Sequence, residues 1–304
     1  MKGTLRNINV DVIKFWASFG VIIIHAGKDS FFDIFSYNIS QISVPLFFLI
    51  TGFFYLSLNK THLLKHIKKI LKVAVYATIY CFLVFVLIYN RDFLTEIEHL
   101  CKITTWYSFL VFNEPIYGFH LWYLWSILYV LIFLYFIPSE ILRNKKWMLG
   151  SILLLFLIYS IYSVRFFILN ALPFVLTGIF ISQNMNFFYT SKVKIICFAL
   201  LFMFLGYAIW NHEILFLNYS YFSIPVFILM LILPFKGRLA SCLAWCGRNC
   251  SLGIYIFHPL VLTLLKKFLG EKIFPFLNAV VTMVLLVFLI SICLFIKKRL
   301  CLRK

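Results

Sequence analysis

Apolar stretches of roughly 17–24 residues recur ten times along this 304-residue chain, and nothing else constrains its fold as strongly. At about 1.5 Å per helical residue, such a stretch is long enough to cross a hydrocarbon layer of about 30 Å. Inside that layer every backbone N–H and C=O must find its partner within the protein, which favours helices. The runs cover about 10–27, 41–58, 71–89, 120–137, 147–163, 166–183, 194–210, 218–234, 250–266 and 273–296. They predict an all-α polytopic integral membrane protein, a bundle of about ten transmembrane helices forming one transmembrane domain over residues 1–304. Only 12% of the residues are charged, about half the share of a soluble domain. The weaker stretch 96–113, EIEHLCKITTWYSFLVFN, reads as an interfacial helix and not as a span.

The net charge of +18 raises the question of nucleic acid, and its distribution answers it. With the N-terminus cytoplasmic, 21 of the 28 basic residues fall on cytoplasmic segments. They include Lys2, Arg6 and Lys14, the run from Lys60 to Lys72, Arg143 with Lys145 and Lys146, Arg248, and the tail ending in Arg303 and Lys304. Only Asp11 and Glu140 among the ten acids share that side. This is the positive-inside asymmetry, and it puts both termini in the cytoplasm. A nucleic-acid surface would not alternate with loop parity, so no nucleic acid is expected as a partner. Asp11 and Lys14 interrupt the first apolar run, and HAGKDS offers a poor cleavage site, so this run is expected to stay in the protein.

That first run holds the residue with the clearest chemical content. In DVIKFWASFGVIIIHAG, only Ser18 is polar between Phe15 and Ile24, and then His25 appears. An ionisable side chain at such depth is costly and marks a functional position. Lys14 stands eleven residues earlier, on nearly the same helix face and roughly 16 Å away along the axis.

Four further segments carry paired readings. In SVPLFFLITGFF, Pro45 suits the first turn of a helix and Gly52 leaves a flat surface for a neighbouring helix or a ligand. In GFHLWYLWSILY, His120 and Trp122 fit either an interfacial aromatic belt or a surface on which a sugar ring stacks. In WCGRNCSLGIYIFHPL, Asn249 or Ser251 can cap a helix. Arg248 is then either a positive-inside residue or part of an anion site. His258 precedes Pro259 and either satisfies loosened backbone carbonyls or serves a substrate. The basic run NKTHLLKHIKKILK reads as an amphipathic interfacial helix on anionic lipid, or as an attractor for a phosphorylated cytosolic donor. Cys242, Cys246 and Cys250 lack the His or acid spacing of a metal site and read as small apolar filler; no metal is expected.

A cationic inner mouth, an intramembrane histidine and an aromatic outer mouth suit transfer of an acyl group from a phosphorylated carrier to a hydroxyl. Such chemistry needs a base for the hydroxyl proton, cations for the carrier's phosphates and donors for the oxyanion. A glycan or lipid transporter or flippase is the rival reading, since it also buries a histidine along a polar path. The two halves of the chain show no matching pair of interrupted helices of the kind many transporters carry.

The order D–x2–K–x10–H, then SVPLFFLITGFF, FHLWYLWSILY and GRNCSLGIYIFHPL resembles the membrane acyltransferase-3 family over nearly the whole chain. Within it, the likeness is greatest to enterobacterial-type O-acetyltransferases of surface glycans. The resemblance implies that His25 is catalytic and sets Lys14 at the position of a family basic residue; Lys14 and, from its own segment, Arg248 are the cations expected to face the donor. It further implies acetyl-CoA or another acyl-CoA as co-substrate, with no bound cofactor. The acceptor would be a surface polysaccharide or an undecaprenyl-linked saccharide met by His120, Trp122 and His258. Membrane lipid surrounds the protein, and the implied location is the bacterial cytoplasmic (inner) membrane, crossed many times. Family members usually carry Arg where this chain has Lys14, a point charge in place of a planar fork. The extra extracytoplasmic hydrolase-like domain of some relatives is expected to be absent, so acceptor capture would rest on outer loops and helix ends.

Overall fold

The computed structural model describes residues 7–56, 58–88, 92–161, 167–210, 219–269 and 274–301. Lys2, Arg6, Arg303 and Lys304, which the charge reading placed in the cytoplasm, lie outside these, as do Arg91, Arg165 and Lys272. The described residues are helical throughout their regular structure, with no strand among them. In chain order the helices begin with α1 (Ile8–Ala26), α2 (Phe31–Ser40), α3 (Ser43–Tyr55) and α4 (Lys60–Ile88). There follow α5 (Phe93–Cys101), α6 (Ile103–Phe112), α7 (Trp122–Phe136), α8 (Ser139–Arg143), α9 (Lys145–Ile161) and α10 (Phe167–Gln183). The last six are α11 (Met185–Phe188), α12 (Ser191–Trp210), α13 (Ser223–Ile232), α14 (Gly237–Asn249), α15 (Ser251–Leu269) and α16 (Pro275–Cys301).

Each of the ten apolar runs falls on a helix. Among the described residues, six helical stretches are long and apolar enough to cross a membrane: Ile8–Ala26, Phe31–Tyr55, Lys60–Ile88, Ser191–Ile209, Ser251–Phe268 and Pro275–Leu300. The protein is a multi-pass membrane protein. Others among the ten are shorter; the 15 residues of α7 rise about 22 Å, less than a hydrocarbon core. Stretch 96–113 divides into α5 and α6, and neither is long enough to span. Two differences have local causes. Residues 31–40, which lie between the first two apolar runs, form α2, and Ser30 and Asp33 make a reciprocal capping box at its start. The basic run from Lys60 to Lys72 is not a separate interfacial helix but the first half of the 29-residue α4. Its buried residues Leu63, Ile67, Ala74, Ala77 and Cys81 trace one stripe, and the other faces are largely open.

The chain forms two compact units, residues 1–47 with 186–304 and residues 48–185. In the first, α1 is the central helix, packed against α2, α13, α14, α15 and α16. Asn7 caps its start, accepting the N–H of Asn9 at 3.0 Å. Asn9 Nδ2 donates to the carbonyls of Leu231 and Leu233, both at 2.8 Å, and fastens α1 to the end of α13. Gly247 of α14 lies directly on the α1 backbone; a Cβ there would overlap the carbonyl of Asp11 and stand 2.8 Å from the Phe15 nitrogen. This approach without side chains is the small-residue packing of membrane helices.

In the second unit, α7 packs on α4 and α10, and α9 packs on α10. Gly52 of α3 abuts the carbonyl of Val175 in α10, and Gly178 of α10 abuts the carbonyl of Leu49. The two helices thus interlock by a glycine from each, which is the architectural role read for Gly52. Tyr55 donates its hydroxyl to the carbonyl of Leu134 at 2.7 Å, joining α3 to α7.

Candidate active site

His25 lies in the last turn of α1, one residue before Ala26 closes the helix. Gly27 follows with φ 117°, a conformation that side-chain-bearing residues rarely adopt, and the chain turns out of the helix there. His25 is half-buried, and Ile22 and Ala26 on its face belong to an apolar cluster with Ile254 and Leu262 of α15.

His258 comes from α15 and is fully buried. Its position follows from its neighbour. Pro259 has no N–H, so the carbonyl of Tyr255, four residues back, loses its helical donor. His258 Nδ1 fills that gap, 2.9 Å from the Tyr255 carbonyl and 3.1 Å from that of Ile254. Carbonyl oxygens only accept, so Nδ1 carries the proton in the neutral ring and Nε2 presents its lone pair. The His25 and His258 rings lie with centroids 5.0 Å apart and planes at 43°. One nitrogen of His258 thus serves the loosened backbone, and its ring stands beside His25.

Lys14 and Arg248 are brought together by a residue whose role sequence reasoning missed. Asp11 is buried, with Lys14 Nζ 3.2 Å from Oδ1 and Arg248 Nε 3.2 Å from Oδ2. The Gly247 contact with the α1 backbone sets Arg248 beside this carboxylate. Asp11 falls in the first turn of α1 and Arg248 in the last turn of α14, each at the helix end that favours its charge. Both cations keep about a third of their side-chain surface open, at 28% and 33%. The i, i+3 spacing of Asp11 and Lys14 was a legible sign of one pair; the link to Arg248, across 237 positions, was not. Neither expected cap is used as read: α15 begins after Cys250, and Asn249 Nδ2 donates to the carbonyl of Trp245 within α14.

His120 and Trp122 belong to the second unit. His120 sits in a single 3₁₀ turn, Phe119–Leu121, entered through Gly118 at φ 72°. It is buried in protein, unlike a belt residue facing headgroups. Trp122 opens α7, edge-to-face with Phe48 at 6.0 Å, and its carbonyl accepts from Asn113 Nδ2 at 2.8 Å. Among the described residues, no group of three or more His, Cys, Asp or Glu is placed to hold a metal ion.

Charged groups thus lie at one end of α1 and a histidine pair lies at the other. No curated protein and no solved structure matches the chain. The family model Acyl_transf_3, described as an acyltransferase domain, matches residues 7–297. The chain therefore belongs to the acyltransferase-3 family and is an acyltransferase that transfers groups other than aminoacyl groups.

Proposed function

We propose that this membrane acyltransferase moves an acyl group, acetyl in the first instance, from acyl-CoA to a hydroxyl of a surface polysaccharide or lipid-linked glycan. In this reading the membrane is the bacterial inner membrane and both termini are cytoplasmic. The observation that carries the proposal is the pairing of His25 with the buried His258 at 5.0 Å inside a membrane helix bundle. His25 takes the proton of the acceptor hydroxyl as its oxygen attacks the thioester carbonyl. The carbon–sulfur bond then breaks, and the proton passes to the departing CoA thiolate, leaving an ester and free CoA. His258 lends an acceptor nitrogen beside His25. Lys14 and Arg248, aligned by Asp11, take the donor's phosphates. The roughly 16 Å of helix from Lys14 to His25 is the interval that the flexible arm between those phosphates and the thioester has to cover. His120 and Trp122 contribute to acceptor binding.

Purified protein given labelled acetyl-CoA and de-O-acylated surface polysaccharide should form a base-labile ester. His25→Ala should abolish it while leaving the melting temperature of the solubilised protein unchanged. Full activity in His25→Ala would remove the base assignment. For orientation, a cysteine at position 65 should react with an impermeant reagent only from the cytoplasm and one at position 98 only from outside; reversed labelling would invert the topology.

A further inference from the structure

Among the described residues, α16 is the most apolar of the candidate spans. Its outward side chains are large and open to the surroundings: Val284 at 62%, Phe288 at 61% and Leu289 at 51% exposure. Its inward face is Pro275, Asn278, Ala279, Thr282, Met283 and Leu286, spaced as a single helical stripe. Two of these six are polar, and they are hidden: Asn278 is 2% exposed and Thr282 is 0% exposed. Among the described residues, neither Asn278 Oδ1 nor Thr282 Oγ1 has a hydrogen-bond partner. A buried acceptor and a buried hydroxyl without partners are costly to a fold, and helices lose nothing in packing by replacing them with apolar isosteres.

Their position explains why they would be kept. Ala279, Met283 and Leu286 from this face share one cluster with Ile22 and Ala26, which flank His25, and with Ile254 and Leu262, which stand one turn to either side of His258. The first turn of α16 is fixed beside the last turn of α1, since Phe276 N–H donates to Asp33 Oδ1 at 3.2 Å and Pro275 packs on Gly27. Asn278 and His25 therefore each lie within one helical turn of the same junction. Asn278 and Thr282 thus lie on the α16 face whose apolar members share a cluster with the neighbours of His25 and His258.

We infer that Asn278 and Thr282 bind the acceptor substrate by one of its hydroxyl groups and hold it for His25; this rests on the reading of His25 as the base. The two atoms without partners select the ligand. A thioester carbonyl only accepts, and would leave Asn278 Oδ1 unsatisfied. A hydroxyl donates to Asn278 Oδ1 and accepts from the Thr282 hydroxyl, satisfying both at once. The ligand group is thus a hydroxyl, as the proposed glycan acceptor carries, and α16 supplies its recognition.

The test uses the full chain in detergent, labelled acetyl-CoA, and de-O-acylated surface polysaccharide from the cells that make the protein. Thr282→Val and Asn278→Leu should each raise the acceptor KM by about tenfold or more, with the acetyl-CoA KM unchanged. Thr282→Ser should keep near-normal kinetics. The Val and Leu variants should melt at or above the wild-type temperature, since each removes a buried group without a partner. An acceptor KM within twofold of wild type in both variants would overturn the inference, as would a shift in the donor KM alone. Activity lost together with a lowered melting temperature would also overturn it, marking the pair as structural. If His25→Ala is inactive while both α16 variants behave as wild type, only this inference fails; if His25→Ala is active, the base reading fails and takes it along.

Discussion

Asp33 Oδ1 accepts the backbone N–H of Phe276 at 3.2 Å, so a carboxylate from α2 caps the first turn of α16 through a residue 243 positions away. Its other oxygen accepts from the N–H and hydroxyl of Ser30, at 3.0 and 2.6 Å, closing the capping box of α2. One side chain thus serves the starts of two helices. Asp33→Ala should cost about 2 kcal/mol and lower the melting temperature, while Asp33→Asn, which retains an acceptor oxygen, should cost less. Thermal unfolding followed by circular dichroism decides this; equal melting temperatures would show that neither cap matters.

The cations at the opposite end of α1 should respond as a set. Lys14→Ala and Arg248→Ala should each raise the acyl-CoA KM, and Lys14→Arg should preserve or improve it, because phosphate attraction survives and gains a fork. Asp11→Ala should destabilise the protein by about 1–2 kcal/mol, a figure held down by the partial exposure of both partners. An unchanged donor KM in Lys14→Ala would remove the phosphate role.

Position 258 separates repair of the backbone from chemistry. His258→Phe removes the donor to the Tyr255 carbonyl, so both stability and activity should fall. Adding Pro259→Ala restores a main-chain N–H to that carbonyl. The double variant should recover melting temperature and remain inactive. Recovery of activity along with stability would show that His258 acts only through the fold.

The glycines divide sharply by environment. Gly247→Ala and Gly178→Ala insert a methyl group against backbone of the neighbouring helix and should destabilise by about 1–3 kcal/mol or prevent assembly. Gly150→Ala and Gly206→Ala meet nothing within 4 Å and should stabilise their helices by up to about 1 kcal/mol. Side-by-side melting curves of the four variants test the contrast.

Apolar run length gave the helices of α1, α7, α12 and α15 closely, because a membrane helix is specified largely by local composition. The α2 signal was equally local, Ser30 with Asp33 three residues on, but its short apolar and polar mix hid it. The continuity of α4 was masked by the change from lysines to leucines, which alters what surrounds the helix and not its hydrogen bonds. His25, Lys14 and His258 could be singled out because each is a costly residue for its segment, and Arg248 because it adjoins an expected helix start. What brings them together could not, since a carboxylate shared by Lys14 and Arg248 and a ring pair between α1 and α15 depend on contacts across more than 200 positions. Asn278 and Thr282 are unremarkable in composition and acquire meaning only from the face they occupy.

The order in which the chain is made now bears on when it can work. The central helix α1 leaves the ribosome well before three of the helices packed against it, α14, α15 and α16, which follow more than 200 positions later. At about 5–20 residues per second, α1 waits on the order of 10–60 s in the bilayer before Gly247 can seat on its backbone and His258 can meet His25. Through that interval Asp11, Lys14 and His25 have to be sheltered by lipid headgroups, water or the insertion machinery. The central helix of this enzyme therefore depends on segments made more than 200 residues after it.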